Sequence, residues 1–231
     1  MAYLRNNISA VMMVCNEEYW IDYAIKPLVN AGLEVFIGDC GSTDATLEIL
    51  KIWKDCPLVH VTNYGKLSPD DNGKVRELLS HQADTQWILI VDGDEIITKE
   101  GMPIILDIDM DGWRGAFITK QILVWRNNNF RIVKESSQRR ICRRDNEWIH
   151  PYPFENMTDA EEYRKEFCYP TGVTGYHMKF LERSSRDKDT YLRTEKNTRY
   201  WDYLEAIEGE PHDLFSVLGP PRFPNPYWNR T

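Results

Sequence analysis

Three carboxylates stand close together in the middle of the chain, directly after an apolar run. The run W-I-L-I-V covers residues 87–91, and Asp92, Asp94 and Glu95 follow it. A short continuous apolar run is typical of a strand buried in an α/β sheet, and ligands bind where such strands end. Like charges this close repel one another unless a cation offsets them, and hard oxygen donors suit Mg²⁺ or Mn²⁺. The stretch therefore predicts a divalent-metal site, with a solvated acidic turn as the alternative.

The elements that lead up to these carboxylates predict a parallel sheet. Strand-like segments at 8–15, 33–37 and 58–62 alternate with helical patterns, and the strand at Trp87 closes the series. Such alternation predicts parallel strands with right-handed crossovers. We expect residues 1–100 to form the nucleotide-binding half of an α/β domain.

The pattern changes after Gly101 and predicts a smaller mixed or antiparallel extension. Strands are expected at 115–125, 130–134 and 139–144, followed by a returning segment at 172–179 and a long charged helix at 187–207. The fold class expected is α/β, with an open, twisted, mostly parallel sheet and helices on both faces. We expect one domain over residues 1–209, whose second half is 101–209, and a proline-rich tail over 210–231 that wraps the surface or serves as a linker.

Composition excludes several functional classes. Hydrophobic content of 42% and charged content of 28% are ordinary for a globular protein, and the net charge of −8 argues against a general nucleic-acid binder. No run of 18 apolar residues is present, so we expect no transmembrane helix. The composition does not exclude peripheral contact with a membrane surface. The oligomeric state is not predicted.

The five cysteines indicate a reducing compartment. They are scattered, odd in number and without a C-x-x-C pair, which fits reduced thiols better than a disulfide framework or a zinc site. We expect a cytoplasmic protein, free or at the inner face of a membrane. The cysteines are Cys15, Cys40, Cys56, Cys142 and Cys168.

Three segments resemble those of family 2 glycosyltransferases, which have the Rossmann-like GT-A fold. A-V-M-M-V-C-N-E-E at 10–18 resembles the family's opening strand and turn, and G-D-C-G-S-T-D-A-T at 38–46 resembles its aspartate-containing turn. W-I-L-I-V-D-G-D-E at 87–95 resembles its aspartate-x-aspartate motif. The resemblance implies a GT-A fold and transfer of a sugar from a nucleotide-sugar.

The same resemblance implies roles for the strand-end residues. Asp92 and Asp94 would bind the Mn²⁺ or Mg²⁺ that bridges the diphosphate of the donor, with Gly93 between them at the cofactor site. Asp39 would contact the nucleoside. Many members have a second aspartate at the next position, where this chain has Cys40. Because of that departure, the motif does not identify the nucleotide base of the donor. A UDP-sugar is the first choice, ahead of a GDP- or dTDP-sugar.

Basic and polar residues near the motif are further candidates for binding the donor. N-G-K-V-R-E resembles the family segment that precedes the metal strand, so Lys74 and Arg76 would lie near the diphosphate. A solvated helix surface is the alternative. Asn16 and Glu17 would lie near the nucleotide pocket, with a helix N-cap as the alternative role of Asn16.

The second half resembles bacterial lipopolysaccharide-core transferases in the segment I-C-R-R-D-N-E-W-I-H-P. An inverting transfer needs a carboxylate that removes a proton from the attacking hydroxyl. The candidates are Glu155, Asp145 and Glu147, and Glu155 is preferred because its aromatic neighbours could desolvate it and bind the acceptor.

A histidine and two basic residues further along the chain complete the candidates. By the same resemblance His177 would be a third metal ligand, with a core histidine as the alternative. Lys179 and Arg183 could contact phosphate oxygens.

The activity implied is a metal-dependent, inverting hexosyl transfer to a hydroxyl of a saccharide or glycoconjugate, as in polysaccharide biosynthesis. One alternative is a sugar-nucleotide pyrophosphorylase, but its glycine-rich loop after the first strand is missing. A phosphatase would carry its aspartate pair on the first strand. The other alternative is a sugar- or nucleotide-binding scaffold with decayed chemistry. Cys40 keeps this alternative open, and so does Glu155, because in the core transferases a glutamate follows the histidine directly, where this chain has Pro151.

Overall fold

A mixed sheet of nine strands organises the part of the chain that the computed structural model describes. The described residues are 4, 7–67, 72–144, 168–178, 181 and 208–228. Along the sheet the strands follow the order 59–63, 35–39, 8–14, 87–92, 129–143, 115–126, 168–177 and 95–97, and a ninth strand, 210–212, pairs with the strand at 129–143. The helix expected at 187–207 lies outside the described residues.

The first half has the alternating architecture that the sequence predicts. Neighbouring strands β3, β2, β1 and β4 all run parallel. Helices connect them, as expected for parallel strands. The elements are β1 (Ile8–Val14), α1 (Ile21–Asn30), β2 (Val35–Asp39), α2 (Thr46–Trp53), β3 (Val59–Asn63), α3 (Asn72–Gln82) and β4 (Trp87–Asp92).

Apolar residues on both faces of these strands bury them between helices. Ala10, Met12 and Val14 of β1 pack into the larger core, which also holds the buried residues of α1 and α2. Val11 points to the opposite face and packs in a second cluster with Val75 of α3. Because successive strand residues face opposite sides, this double burial explains why the strands read as continuous apolar runs.

The second half continues the same sheet with mixed strand directions. β7 pairs antiparallel with β4 and with β6, while β6 pairs parallel with β8, and β8 pairs antiparallel with β5. These pairings confirm the mixed extension. The elements are β5 (Glu95–Ile97), α4 (Gly101–Leu106), β6 (Gly115–Arg126), β7 (Asn129–Arg143) and β8 (Cys168–His177).

The two strands expected at 130–134 and 139–144 are one strand, β7. The polar stretch E-S-S-Q between them pairs without a break against β6, with Ser137 opposite Thr119. The two hydroxyls lie 2.9 Å apart. Polar residues therefore interrupt the apolar pattern without interrupting the strand.

The tail contributes to the sheet and to the core. β9 (Glu210–His212) pairs with β7, and α5 (Leu214–Leu218) follows it, with Asp213 as the N-cap whose side chain accepts a hydrogen bond from the Ser216 amide. Leu214, Phe215 and Tyr227 are buried in the larger core. In its described part, this segment is structured where the sequence suggested an irregular wrap, and the domain boundary at residue 209 stays a prediction.

Among the described residues, none of the helices combines the length and the apolar character needed to span a membrane.

Candidate active site

The D-G-D-E turn links β4 to β5 and carries the three carboxylates. Asp92 ends β4 and Glu95 begins β5. Asp94 and Glu95 are each 3% exposed, so two acidic side chains are buried within one turn. Glu95 Oε2 accepts a hydrogen bond of 3.1 Å from the Asp92 amide, which closes the turn upon itself.

Two arginines from distant elements bind Asp92, one at each carboxylate oxygen. Arg76 of α3 donates to Oδ1 at 2.6 Å, and Arg140 of β7 donates to Oδ2 at 3.2 Å. Burial tends to raise the pKa of Asp92, but the charges of Arg140, Arg76 and Lys120 outweigh it and hold that pKa well below its usual range. Asp92 is therefore an anion that keeps two guanidinium groups together at the end of β4.

Glu95 lies in a second, deeper group of charges. Arg140 donates to its Oε1 at 2.5 Å, and Lys120 of β6 donates to the same oxygen. Gln138 Oε1 accepts from Lys120 at 3.1 Å and from Arg140 at 2.9 Å. Burial, together with the charge of Arg140, lowers the pKa of Lys120 well below its usual value, against the pull of the Asp92 and Asp94 carboxylates. The protein itself thus supplies cations to both Asp92 and Glu95.

Asp94 faces His177 instead. The pairing of β5 with β8 puts Glu95 opposite His177, and the Met178 amide donates to the Asp94 carbonyl at 2.8 Å. As a result His177 Nε2 lies 3.5 Å from Asp94 Oδ2, and the two side chains are 15% and 5% exposed. Two residues far apart in sequence, both predicted metal ligands, are brought together here.

The Asp94–His177 pair has the composition of a partial metal site. Within the described residues, no three His, Cys, Asp or Glu side chains are arranged to hold a metal ion. Mg²⁺ needs only one or two carboxylates when substrate phosphates and water fill its other positions, and Mn²⁺ accepts imidazole as well as oxygen. A carboxylate and an imidazole 3.5 Å apart fit such a cation. The metal roles of Asp92, Asp94 and His177 stay predictions.

The turns that follow β1 and β2 are tied to each other. Asn16, at φ 57°, accepts a hydrogen bond from the Thr43 amide at 2.8 Å, while its own amide donates to Ser42 Oγ at 2.9 Å. The Glu17 amide donates to Thr46 Oγ1 at 2.8 Å. The alternative role of Asn16 as a helix cap is wrong, because α1 begins at Ile21 with Trp20 at its N-cap.

Glu17 and Gly93 bring the first turn against the D-G-D-E turn. Glu17 is 3% exposed. A Cβ at Gly93 would lie 2.8 Å from Glu17 Cγ and 2.9 Å from Val14 Cγ1, closer than side chains approach. Glycine at this position is therefore required by the contact between the two turns, whatever contact it makes with a donor.

Asp39 is fully buried and shapes the second turn. Its carboxylate accepts hydrogen bonds from the amides of Gly41 at 3.1 Å and Ser42 at 3.2 Å. A contact between Asp39 and a nucleoside stays a prediction. Cys40 beside it is half-buried, and burial, reinforced by the Asp39 charge, raises the pKa of its thiol to about 11.

The remaining predicted residues are one exposed lysine and five residues outside the described part of the chain. Lys74 is exposed on the first turn of α3. The candidate bases and the two basic residues after β8 fall outside the described residues: Asp145, Glu147, Glu155, Lys179 and Arg183.

Sequence reasoning missed Arg140 and Lys120. For Lys120 a signal was present, since it lies between the apolar segments of β6. A charged residue at an inward position of a strand needs a buried counter-charge.

Comparison with known proteins places the chain in a family. Its sequence matches the family model described as Glycosyl transferase family 2 over residues 9–185, which is most of the chain. No curated protein matches it.

Among solved structures, the S. aureus TarS fragment 1-349 is 24% identical with a TM-score of 0.40, and the match covers 50% of this chain and 35% of that one. The same fragment in complex with UDP-GlcNAc gives 24% identity, 50% and 34% coverage, and a TM-score of 0.40. The mannosyltransferase PcManGT from Pyrobaculum calidifontis, in complex with GDP-Man and Mn²⁺, is 16% identical with a TM-score of 0.39, over 52% of this chain and 36% of that one. The matched region spans about a third of the length of these structures.

The family match agrees with the architecture. Parallel strands in the order β3-β2-β1-β4, continued by mixed strands, form the α/β fold that the three motifs predict. The chain belongs to glycosyl transferase family 2.

Proposed function

We propose that this protein is a metal-dependent, inverting glycosyltransferase that moves a hexose from a nucleotide-sugar to a hydroxyl of a saccharide or glycoconjugate. A UDP-sugar is the first choice of donor. The observation that carries the proposal is the Asp94–His177 pair, 3.5 Å apart, directly beside the arginine-bound Asp92. Family membership supports the reaction class.

In this proposal the donor's diphosphate binds at the end of β4. Arg76 and Arg140 carry guanidinium groups suited to phosphate oxygens, and Asp92 keeps both of them in place before the donor arrives. Asp94 and His177 would hold Mn²⁺ or Mg²⁺. When bound, that ion would offset the negative charge that develops on the departing nucleoside diphosphate.

The acceptor hydroxyl needs a proton acceptor, for which Glu155 is the proposed residue and Asp145 and Glu147 are the alternatives. A carboxylate that takes the hydroxyl proton makes the oxygen a better nucleophile at the anomeric carbon. Attack from the side opposite the leaving diphosphate inverts that carbon in one displacement.

A donor screen tests the reaction class. The protein is incubated with UDP-, GDP- and dTDP-sugars, with Mn²⁺ or with a chelator, and released nucleoside diphosphate is measured. We expect release from one nucleotide class, dependent on Mn²⁺, and its loss in His177→Ala. The matched control is His81→Ala, which removes an exposed histidine of α3. Release that persists with the chelator would contradict metal dependence.

The proton acceptor is tested by Glu155→Gln, which keeps size and polarity but cannot take a proton. We expect turnover to fall by about 10²–10⁴ while donor affinity is nearly unchanged. Asp145→Asn and Glu147→Gln are the controls. A large loss in either of them, with Glu155→Gln near wild type, would assign the role to that residue instead.

A further inference from the structure

Two cysteines stand opposite each other where β1 and β2 end. The parallel ladder between these strands pairs Val14 with Asp39, and the Cys40 amide donates to the Val14 carbonyl at 2.9 Å. This bond is the last of the ladder, because the next amide, that of Asn16, donates to Ser42 Oγ. Cys15 and Cys40 directly follow the paired residues Val14 and Asp39, so they lie side by side just beyond the ladder.

This placement puts the two Cα atoms within the range that a disulfide spans. Adjacent strands lie about 4.8 Å apart, and bridged cysteines have Cα atoms about 4.4–6.8 Å apart. The charge of Cys15 also contributes to the raised pKa of the Cys40 thiol, as expected for neighbouring thiols. Cys15 is exposed and Cys40 is half-buried. A reagent in solution therefore reaches the Cys15 thiol more easily than the Cys40 thiol.

The other cysteines lack this arrangement. Cys142 and Cys168 both pair with Gly115, from opposite sides of β6, so a whole strand separates them. Two strand spacings amount to about 10 Å, too far for a bond. Both of these thiols are also buried. They form an internal control for any oxidation experiment.

The cysteine pair lies beside the proposed donor site. β1 separates β2 from β4, and Met13 of β1 pairs with Asp92. The charge of Arg76, the arginine that binds Asp92, acts on the Cys40 thiol and lowers its pKa, against the larger effect of burial. Asn16 directly follows Cys15 and ties the turns after β1 and β2 together.

We propose that Cys15 and Cys40 form a reversible disulfide with a small-molecule disulfide such as oxidised glutathione as the oxidant, and that this modification weakens donor binding. The second part rests on the proposed function. Closing the bond would draw the two Cβ atoms from the strand spacing of about 4.8 Å to about 3.8 Å, and a displacement of about 1 Å in a positioning segment is enough to impair a site.

The chemistry is two successive thiol–disulfide exchanges. The exposed Cys15 thiolate attacks oxidised glutathione, which forms a Cys15–glutathione mixed disulfide and releases one glutathione thiolate. The Cys40 thiol, whose raised pKa makes this step slow at neutral pH, then loses its proton, attacks Cys15 Sγ and releases the second glutathione thiolate. The two cysteines lose two electrons and two protons in total, and one oxidised glutathione becomes two reduced ones.

Peptide mapping tests the bond itself. The full chain is incubated with oxidised glutathione, free thiols are alkylated, and the protein is cleaved. Trypsin leaves both cysteines in one peptide because Lys26 precedes Pro27, so a protease that cleaves after glutamate, as at Glu34, is used to separate them. We expect a Cys15–Cys40 cross-link that reductant reverses, and none between Cys142 and Cys168. Absence of the cross-link in wild type, or cross-links spread at random, would overturn the proposal.

Titration with UDP and Mn²⁺ tests the effect on the site. We expect oxidised wild type to bind UDP about tenfold more weakly than the reduced protein, equal to about 1.4 kcal/mol. Cys15→Ser treated in the same way should be unaffected, because the first exchange cannot occur, and Cys142→Ser should behave like wild type. A cross-link that leaves UDP affinity unchanged would overturn the regulatory claim. Failure of reduced wild type to bind any nucleotide would instead overturn the proposed function, while peptide mapping still decides whether the bond forms.

Discussion

At the scale of single residues, the carboxylates after β4 differ in what neutralises them. Asp92 and Glu95 accept hydrogen bonds from arginine and lysine side chains, whereas Asp94 faces His177. Spacing after a buried strand was enough to single out Asp92 and Asp94. It could not identify Arg140, because a run of four arginines between 139 and 144 does not show which one the sheet register turns inward.

Replacing Arg140 tests the buried charge network. Arg140→Gln leaves Glu95 buried with one cation fewer, and breaking a buried ion pair on one side costs about 3 kcal/mol. We expect the free energy of unfolding, from urea titration followed by circular dichroism, to fall by this amount.

Lys134→Gln is the matched control for Arg140→Gln, since Lys134 is an exposed cation of the same strand. It should change the unfolding free energy by less than about 0.5 kcal/mol. The double variant Glu95→Gln/Arg140→Gln should recover part of the loss because both charges are gone. An Arg140→Gln protein as stable as wild type would show that this network does not hold the turn.

At the scale of elements, the turns after β1 and β2 act as one unit. Asn16 accepts from the Thr43 amide, and its positive φ is a backbone conformation that asparagine tolerates better than alanine. The sequence predicted the two strands and the closeness of their ends. Only the alternative role of Asn16 as a helix cap was wrong. A residue favoured at helix caps is favoured for the same reason in turns, because its side-chain oxygen accepts backbone amides.

Two variants of Asn16 separate backbone strain from the lost hydrogen bond. Asn16→Gly keeps the backbone conformation and should cost about 1 kcal/mol for the bond to Thr43. Asn16→Ala adds strain of about 1 kcal/mol. Urea unfolding measures both values. Asn128→Ala, at φ 56° in the β6–β7 turn, is the control for strain alone. Equal stability of both Asn16 variants and wild type would contradict the tie between the turns.

At the scale of the whole molecule, the C-terminal segment is part of the core. Phe215 contacts Phe130 and Tyr23 of the main body, with ring centroids 5.5 and 6.3 Å apart. Asn225 donates to the Tyr19 carbonyl at 3.0 Å. The prolines of this segment predicted a tail that wraps the surface or serves as a linker. The prediction missed the packing because local composition does not show that residues distant in sequence form a core around an aromatic side chain such as Phe215.

Truncating Phe215 measures this contribution. Phe215 is 6% exposed, so Phe215→Ala should lower the unfolding free energy by about 3 kcal/mol or more. Trp228→Ala is the control, because Trp228 is 38% exposed and packs edge-on against Phe215. It should cost only about 1 kcal/mol. A Phe215→Ala protein with unchanged thermal and urea unfolding would mean that the segment is a detachable tail.

The elements of the first hundred residues followed from the sequence because short apolar runs and helical patterns alternate along the chain. The second half depends on long-range pairings that composition does not encode. β8 joins the sheet between β6 and β5, and only this pairing brings His177 to Asp94. Through the family resemblance, the sequence predicted Asp94 and His177 as separate metal ligands. That the two side chains lie 3.5 Å apart became visible only in the fold.

Calorimetric titration of UDP and GDP into wild type and Asp94→Asn, with Mn²⁺ or with a chelator, tests the central claim that Asp94 and His177 complete a metal-dependent donor site. We predict Mn²⁺-dependent binding of one nucleotide to wild type, and a loss of about tenfold or more in Asp94→Asn, which removes a ligand charge without removing volume. Asp55→Asn, the same change at an exposed position after α2, should bind like wild type. Nucleotide binding by wild type that is indifferent to the chelator, or full Mn²⁺-dependent affinity in a folded Asp94→Asn protein, would contradict the claim.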